Sequence, residues 1–163
     1  MQPFNKIIAL SFFLIFFAIH ATAQNTVSDK QSKETIIKTL IDSKNYVFTA
    51  KSVHPQSSSI RHLTSEYDMK VMGDSLVTYL PYFGRAYSAP VNSQGGIQFT
   101  STDFNYAIES KRKEWVITIK PKSVDVRELI LRVYKNGSAS LMVNSTNRQS
   151  ISFNGVIEAR RNR

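Results

Sequence analysis

Cysteine is absent from all 163 residues, and histidine occurs three times, as His20, His54 and His62. With no thiol, the chain has no cysteine nucleophile, no CxxC redox pair, no thiolate zinc site, no disulfide and no cysteine for a lipid anchor. Acidic residues are also few, 12 against 21 lysines and arginines, for a formal charge of +9. Long hydrophobic runs are missing except for one at the start, Ile7 to Ile19, which falls short of the ~20 residues that span a bilayer.

That run has the form of a secretory signal. Lys6 and the amino terminus supply positive charge, the apolar stretch follows, and Ala21-Thr22-Ala23 is a small-x-small cleavage site that leaves Gln24 as the new terminus. Residues 1–23 are therefore expected to be removed, 24–31 to be a flexible polar lead, 32–160 to form one β-rich domain and 161–163 to be a basic tail. Lys6 is the only charged side chain of the leader, so the mature chain keeps +8. Such a charge favours polyanions, and outside the cytoplasm these are acidic glycans or lipid headgroups rather than nucleic acid. The mature length can bury a core without staples or metals.

Ile36, Ile37, Leu40 and Ile41 line one face of an amphipathic helix over Ser32 to Lys44, with Ser32 as N-cap and Asp42-Ser43-Lys44-Asn45 as its stop. After Asn45 the apolar period falls to two. Tyr46, Phe48 and Ala50 share a strand face. Tyr67, Met69 and Val71 meet Leu76, Thr78 and Leu80 across a Gly73-Asp74 turn. Ile97 with Phe99, then Phe104, Tyr106 and Ile108, flank Thr102-Asp103; Trp115, Ile117 and Ile119 run to Pro121. Leu129, Leu131 and Val133 return as Ala139, Leu141 and Val143 through Asn136-Gly137, read as a two-residue hairpin. Ile151 and Phe153 open the last strand, with Gly155 as a bulge. Two interruptions, His54 to Thr64 and Arg85 to Gly95, break the series. The expected fold is mainly β, an antiparallel up-and-down barrel or half-barrel of about eight strands with one N-terminal helix; a β-sandwich is the alternative. The strands are mostly too short for a membrane barrel, and the chain is expected not to span a membrane after cleavage.

Tyr79-Leu80-Pro81-Tyr82-Phe83-Gly84-Arg85, Gly95-Gly96-Ile97-Gln98-Phe99 and the stretch from Asn144 to Gly155 together resemble the bacterial family named domain of unknown function 4251. The resemblance covers roughly residues 33 to 160. It implies an exported, envelope-associated protein with a mainly β fold and brings no catalytic residue with it.

Gly73-Asp74-Ser75-Leu76 spells the nucleophile block of the GDSL hydrolases, but no histidine follows His62 to take the serine proton, and Gly-Asp is ordinary turn chemistry. Asp74-Ser75-Leu76 also resembles an O-glycosylation signal of exported proteins in such bacteria, which makes Ser75 a candidate modification site. Asn136-Gly137-Ser138 and Asn144-Ser145-Thr146 are N-glycosylation sequons by pattern alone. His54 and His62, with Glu66 and Asp68, have no diagnostic metal spacing, and no metal or cofactor is expected. The acids Asp103, Glu109, Glu114, Asp125 and Glu128 scatter over strand ends as solvated turn residues, and Lys111-Arg112-Lys113 reads as a solvated charge run.

The strongest binding candidate is the aromatic loop entry Tyr79, Tyr82, Phe83, Arg85 and Tyr87, which can stack on a ligand while Arg85 orients an anion, or can instead close a barrel end. A second, polar candidate is Asn144, Asn147, Arg148 and Gln149. The expected function is a non-enzymatic periplasmic or secreted module for an envelope component, a small amphiphile or glycan, or an exported protein partner. A hydrolase built on the scattered carboxylates and a structural or inhibitory envelope protein are the alternatives.

Overall fold

The computed structural model describes residues 31–87, 95–122 and 125–160. The leader with its Ala23-Gln24 junction, the lead from 24 to 30, the middle of the Arg85 to Gly95 interruption and the tail 161–163 lie outside the described residues.

Residues 31–42 are helical (α1), so Gln31 belongs to the helix and Ser32 lies inside it rather than capping it; Thr35 Oγ1 donates to the Gln31 carbonyl at 2.9 Å. The helix ends at Lys44, which takes a left-handed φ of 49° and donates from its N–H to the Ile41 carbonyl. Nine strands follow: β1 Asn45–Pro55, β2 Arg61–Met72, β3 Ser75–Pro81, β4 Gly96–Ser101, β5 Phe104–Ser110, β6 Glu114–Pro121, β7 Val126–Tyr134, β8 Ser138–Ser145 and β9 Ile151–Glu158. They form one antiparallel sheet in the order β4-β3-β2-β1-β9-β8-β7-β6-β5, rolled into a nearly closed barrel rather than split into the two sheets of a sandwich.

Strand parity shows how the barrel closes. Eight antiparallel pairings separate β4 from β5, so these two terminal strands run in the same direction. They are joined by Thr102 and Asp103 alone. A hairpin turn would reverse the chain, so residues 96–110 form one long strand bent at 102–103, its first half paired with β3 and its second with β6. The barrel therefore has eight strand positions and a seam at the bend. Asp103 pins the bend: its carbonyl accepts from Ser101 Oγ at 2.9 Å and from the Lys122 N–H at 3.1 Å.

The interior is apolar and filled. Tyr46 and Phe48 of β1, Met69 and Val71 of β2, Leu76 and Leu80 of β3, Ile117 and Ile119 of β6 and Leu129, Leu131 and Val133 of β7 are fully buried, as the period-two pattern requires. Across the interior the Tyr46 and Tyr106 hydroxyls meet at 3.1 Å, tying β1 to the bent strand. Burial drives both phenol pKa values up, Tyr46 well above its ordinary range and Tyr106 to about 12. Helix α1 plugs one barrel end through Ile37 and Ile41, both buried, and Glu34 pairs with Lys135 at 2.6 Å.

Three local expectations change. β1 and β2 extend through the His54 to Thr64 stretch, leaving only residues 56–60 between them, because His54 and His62 take paired positions opposite Ser152 and Ser52. The β7–β8 connection has three residues, not two: Gly137 N–H donates to the Tyr134 carbonyl, and only Gly137 takes positive φ, at 85°. A two-residue type I′ turn would need positive φ at both centres. The bulge lies in β1, where Lys51 is the extra residue between Ala50 and Ser52, and Gly155 faces it. Gly155 is required there by proximity, since a Cβ would stand 2.0 Å from the Thr49 carbonyl oxygen.

Candidate functional site

The barrel end opposite α1 is where the two candidate segments meet. Pro81 ends β3 because it has no N–H to continue a ladder, and the chain leaves the wall as the β3–β4 loop. The β8–β9 loop, residues 146–150, folds against that departing chain and makes a short clasp with it. Ala86 and Arg148 pair as an antiparallel bridge; Tyr87 N–H donates to the Asn147 carbonyl at 2.8 Å and Gln149 N–H to the Arg85 carbonyl at 3.0 Å. Gln149 Oε1 also accepts from Ser57 Oγ at 3.2 Å, which brings in the β1–β2 loop.

Tyr82 and Arg148 hold the clasp from beneath. The Tyr82 hydroxyl lies 2.8 Å from the Arg85 carbonyl and 3.0 Å from that of Gln149, so its single proton bonds either strand of the clasp. Gly84 is needed above the ring, for a Cβ there would stand 2.6 Å from the hydroxyl oxygen. Arg148 is 7% exposed, and its guanidinium does three things at once. It donates to the Gly96 carbonyl at 2.9 Å and to Asp125 Oδ2 at 3.1 Å, and it lies 5.2 Å from the Tyr82 ring centroid. Gly96 opens β4 and Asp125 precedes β7, so Arg148 bridges the upper part of the seam. Burial raises the Tyr82 pKa, with the Arg148 charge and the hydrogen bond to the Gln149 backbone opposing it.

On the outer wall beside the clasp is a shallow, open groove of about 390 Å³ lined by Tyr67, Tyr79, Pro81, Tyr82, Phe83, Gly95, Gly96 and Gln98. Tyr67 and Tyr79 stack with ring centroids 5.6 Å apart and planes at 21°. Tyr79 is 48% and Phe83 40% exposed, so both offer ring surface to solvent. The Arg61 guanidinium lies 5.1 Å from the Phe83 centroid. Gly96 keeps the floor low, since a Cβ would meet both the Leu80 carbonyl oxygen and the Gln98 amide.

The five aromatic-loop residues thus divide. Tyr79 and Phe83 face the groove, Tyr82 turns beneath the clasp, Arg85 contributes backbone to it with an exposed side chain, and Tyr87, 71% exposed, is anchored through its N–H. Of the polar four, Asn147, Arg148 and Gln149 build the clasp, whereas Asn144 lies within β8 and donates to Glu128 Oε1 at 3.0 Å. Ser75 is the first residue of β3, half-buried at the helix-plugged end and far along the strand from the groove. The φ of 60° at Gly73 fits a turn with glycine at its first central position.

Asp125 is expected only as a solvated turn acid, and Tyr67, Gln98 and Arg61 are not among the site residues expected from sequence. Gln98 was within reach of it, because the strand register places it directly opposite Tyr79. Tyr67 was not, because an ideal pleat puts it on the face opposite Tyr79; here residues 63–66 of β2 stand against the single Lys51 of β1, and the pleat beside Tyr67 is broken.

The scattered acids are taken up one by one: Asp103 by Lys122, Glu109 by Lys111, Glu114 by Arg132, Asp125 by Arg148 and Glu128 by Asn144. His54 Nε2 lies 2.9 Å from Asn154 Nδ2 and 3.4 Å from Ser52 Oγ, and Asp68 pairs with Lys70. Among the described residues no three histidines and carboxylates gather as a metal group.

Residues 28–157 match the family described as a domain of unknown function, DUF4251. The chain belongs to the DUF4251 family. A crystal structure of a DUF4251 family protein from Bacteroides eggerthii resembles it with a TM-score of 0.57 at 14% identity, covering 78% of this chain and 88% of that one. At that identity the likeness establishes the shared fold. Curated proteins give no match. Among the described residues no helix is long and apolar enough to cross a membrane.

Proposed function

We propose that this DUF4251 protein is a non-enzymatic, exported binding module that holds an envelope component in the groove beside the clasp. The observation that carries the reading is the pairing of exposed rings with a stiff support. Tyr67, Tyr79 and Phe83 offer aromatic surface, while Tyr82, Arg148 and Asp125 fix the loop from which Phe83 projects. A site whose rings are already in place loses less conformational freedom on binding. Against catalysis, Asp103, Glu109, Glu114, Asp125 and Glu128 are each engaged with a cation or amide, which favours recognition over acid–base chemistry.

Export rests on the leader, with cleavage between Ala23 and Gln24 releasing the chain to the periplasm or beyond. The barrel's polarity supports a water-surrounded life there. Its interior is apolar, while outward positions carry Lys70, Asp68, Lys120 and Arg132, the reverse of the arrangement that faces lipid.

The test is native mass spectrometry of protein purified from its own host's envelope fraction, followed by denaturing mass on the same sample, with wild type beside Tyr79→Ala/Phe83→Ala. Extra mass that disappears on denaturation and is missing from the folded double variant is the expected result. A bound component retained by that variant would remove the groove from the account, and a bare wild-type chain would remove the binding role.

A further inference from the structure

Resting on the reading that the groove binds a ligand, we propose that the ligand is an acidic polysaccharide, a chain of uronate-type sugars carrying a carboxylate on each ring. Three features of the groove lead there. First, its shape is wrong for a small molecule. Pockets that retain small ligands enclose most of the ligand surface. This one is a shallow trough on a barrel wall, which suits an extended chain that gains from repeated weak contacts along its length.

Second, the lining matches a pyranose. Such a ring has an apolar C–H face and a hydroxyl rim. Tyr79 and Phe83 give flat apolar surfaces for the face, and the Tyr67 and Tyr79 hydroxyls and the Gln98 amide give donors and acceptors for the rim.

Third, the charge is of one sign. Among the described residues no carboxylate lines the groove, and Asp68, paired opposite Tyr79 on β2, is held by Lys70 at 2.9 Å. Arg61 lies over the Phe83 ring, and among the described residues no acid pairs with it. Arg85 on the neighbouring loop is exposed and likewise makes no ion pair among the described residues. The acids nearest in sequence, Glu66 and Asp68, line a different groove, where Lys51, Lys70 and Arg160 accompany them. A planar guanidinium resting on a ring can take a carboxylate bidentately while a sugar stacks alongside. The formal charge of +8 that remains once Lys6 leaves with the leader favours polyanions at longer range. A nucleic acid would need a row of phosphate contacts, and this groove offers one arginine at its edge and another on the loop beside it.

The test is calorimetric titration of the whole protein, at low and physiological salt, with a galacturonate hexamer, its methyl-esterified neutral form and a glutamate hexamer. The acidic hexasaccharide is expected to bind at least about tenfold tighter than the ester and the peptide, the scale of one charge-assisted contact. Arg61→Gln should weaken the acidic hexamer more than the ester, and so cut the preference for acid over ester severalfold. Tyr79→Ala should weaken both sugars, and circular dichroism must show both variants folded. Equal binding of acid and ester would overturn the anionic assignment but leave the groove's binding role standing. Equal binding of the peptide would show that charge alone is read. If no hexasaccharide binds while host-derived protein carries a Tyr79-dependent ligand, the saccharide assignment fails and the binding reading survives; if host-derived protein is also bare, both fail.

Discussion

Replacing Arg148 with methionine removes the guanidinium and keeps most of the side-chain volume. Two separate losses follow. The Gly96 carbonyl loses a charged donor, and its antiparallel neighbour Pro81 has no N–H to offer in exchange. Asp125 loses its cation while its side chain remains only 27% exposed. Breaking a fully buried pair from one side costs ~3–5 kcal/mol, and partial hydration of Asp125 reduces that figure, so a total of about 3 kcal/mol is expected. For a domain of this size that is on the order of 10 °C in Tm. Much of the cost is the cation lost beside Asp125, so a second change should recover part of it: Arg148→Met with Asp125→Leu is expected to be about 1–2 kcal/mol more stable than Arg148→Met alone. Urea unfolding of wild type, both single variants and the double variant measures the cycle. Hydrogen exchange at the Tyr87 and Gln149 amides, which close the clasp, should rise well before global unfolding in Arg148→Met. An Arg148→Met cost below about 0.5 kcal/mol, or a double variant whose loss is the sum of the singles, would refute the argument that a buried ion pair holds the clasp.

Gly155→Ala should prevent folding or cost more than about 3 kcal/mol, since its Cβ would overlap the Thr49 carbonyl, whereas Gly95→Ala, with open space around it, should stay within about 0.5 kcal/mol; thermal melts of the two compare them directly. Ile41→Ala, at a fully buried position in the helix plug, should cost about 2–4 kcal/mol by urea unfolding while leaving groove binding intact. The Tyr46–Tyr106 pair predicts a loss of stability at high pH. Both folded pKa values are raised, Tyr106 to about 12 against an ordinary value of 10.0, so the unfolded chain releases these protons first. The contribution is complete below about pH 10 and is lost as pH rises toward the folded values, and Tyr46→Phe should flatten that part of a Tm-against-pH curve; an unchanged slope would count against the pair.

The alternation of Tyr46, Phe48 and Ala50, of Leu76, Thr78 and Leu80 and of Leu129, Leu131 and Val133 made the strands and their inner faces legible, because a filled barrel imposes period two on every wall strand. Of the expected helix face Ile36, Ile37, Leu40 and Ile41, Ile37 and Ile41 are buried and Leu40 partly so, whereas Ile36 is 58% exposed because the plug contacts a narrower stripe than the sequence offers. The bend at Thr102-Asp103 was not legible, since a two-residue polar break between apolar runs is common to a hairpin and a kink, and only the pairing partners on either side distinguish them. Arg148 was legible as a polar residue in a polar run but not as a buried one. Its burial depends on Gly96 and Asp125, 52 and 23 residues away in the chain, which no local pattern reports. The same limit applies to the groove, where Tyr79 and Phe83 were visible but Arg61 arrives through loop packing.

Groove and clasp share their origin in the way the barrel closes. A fully hydrogen-bonded barrel would carry β3 and β4 to its rim and leave no trough between wall and loop. Here β3 stops at Pro81, β4 begins at Gly96, and residues 82–87 cross to the β8–β9 loop. The aromatic surface therefore has two supports of different stiffness. Tyr79 stands on a strand paired on both sides, opposite Asp68 and Gln98, while Phe83 depends on the clasp that Tyr82 and Arg148 hold. Loss of Arg148 should leave the Tyr67–Tyr79 stack in place and free Phe83, so a ligand that needs both rings pays the ordering of the loop when it binds. Arg148→Met is therefore expected to weaken groove binding by raising the dissociation rate, although Arg148 is not among the residues that line the groove. Surface-exchange kinetics with the acidic hexasaccharide would show this as a faster release at a nearly constant association rate; an equal fall in association would mean that the clasp shapes the groove's entrance rather than the stability of what it holds.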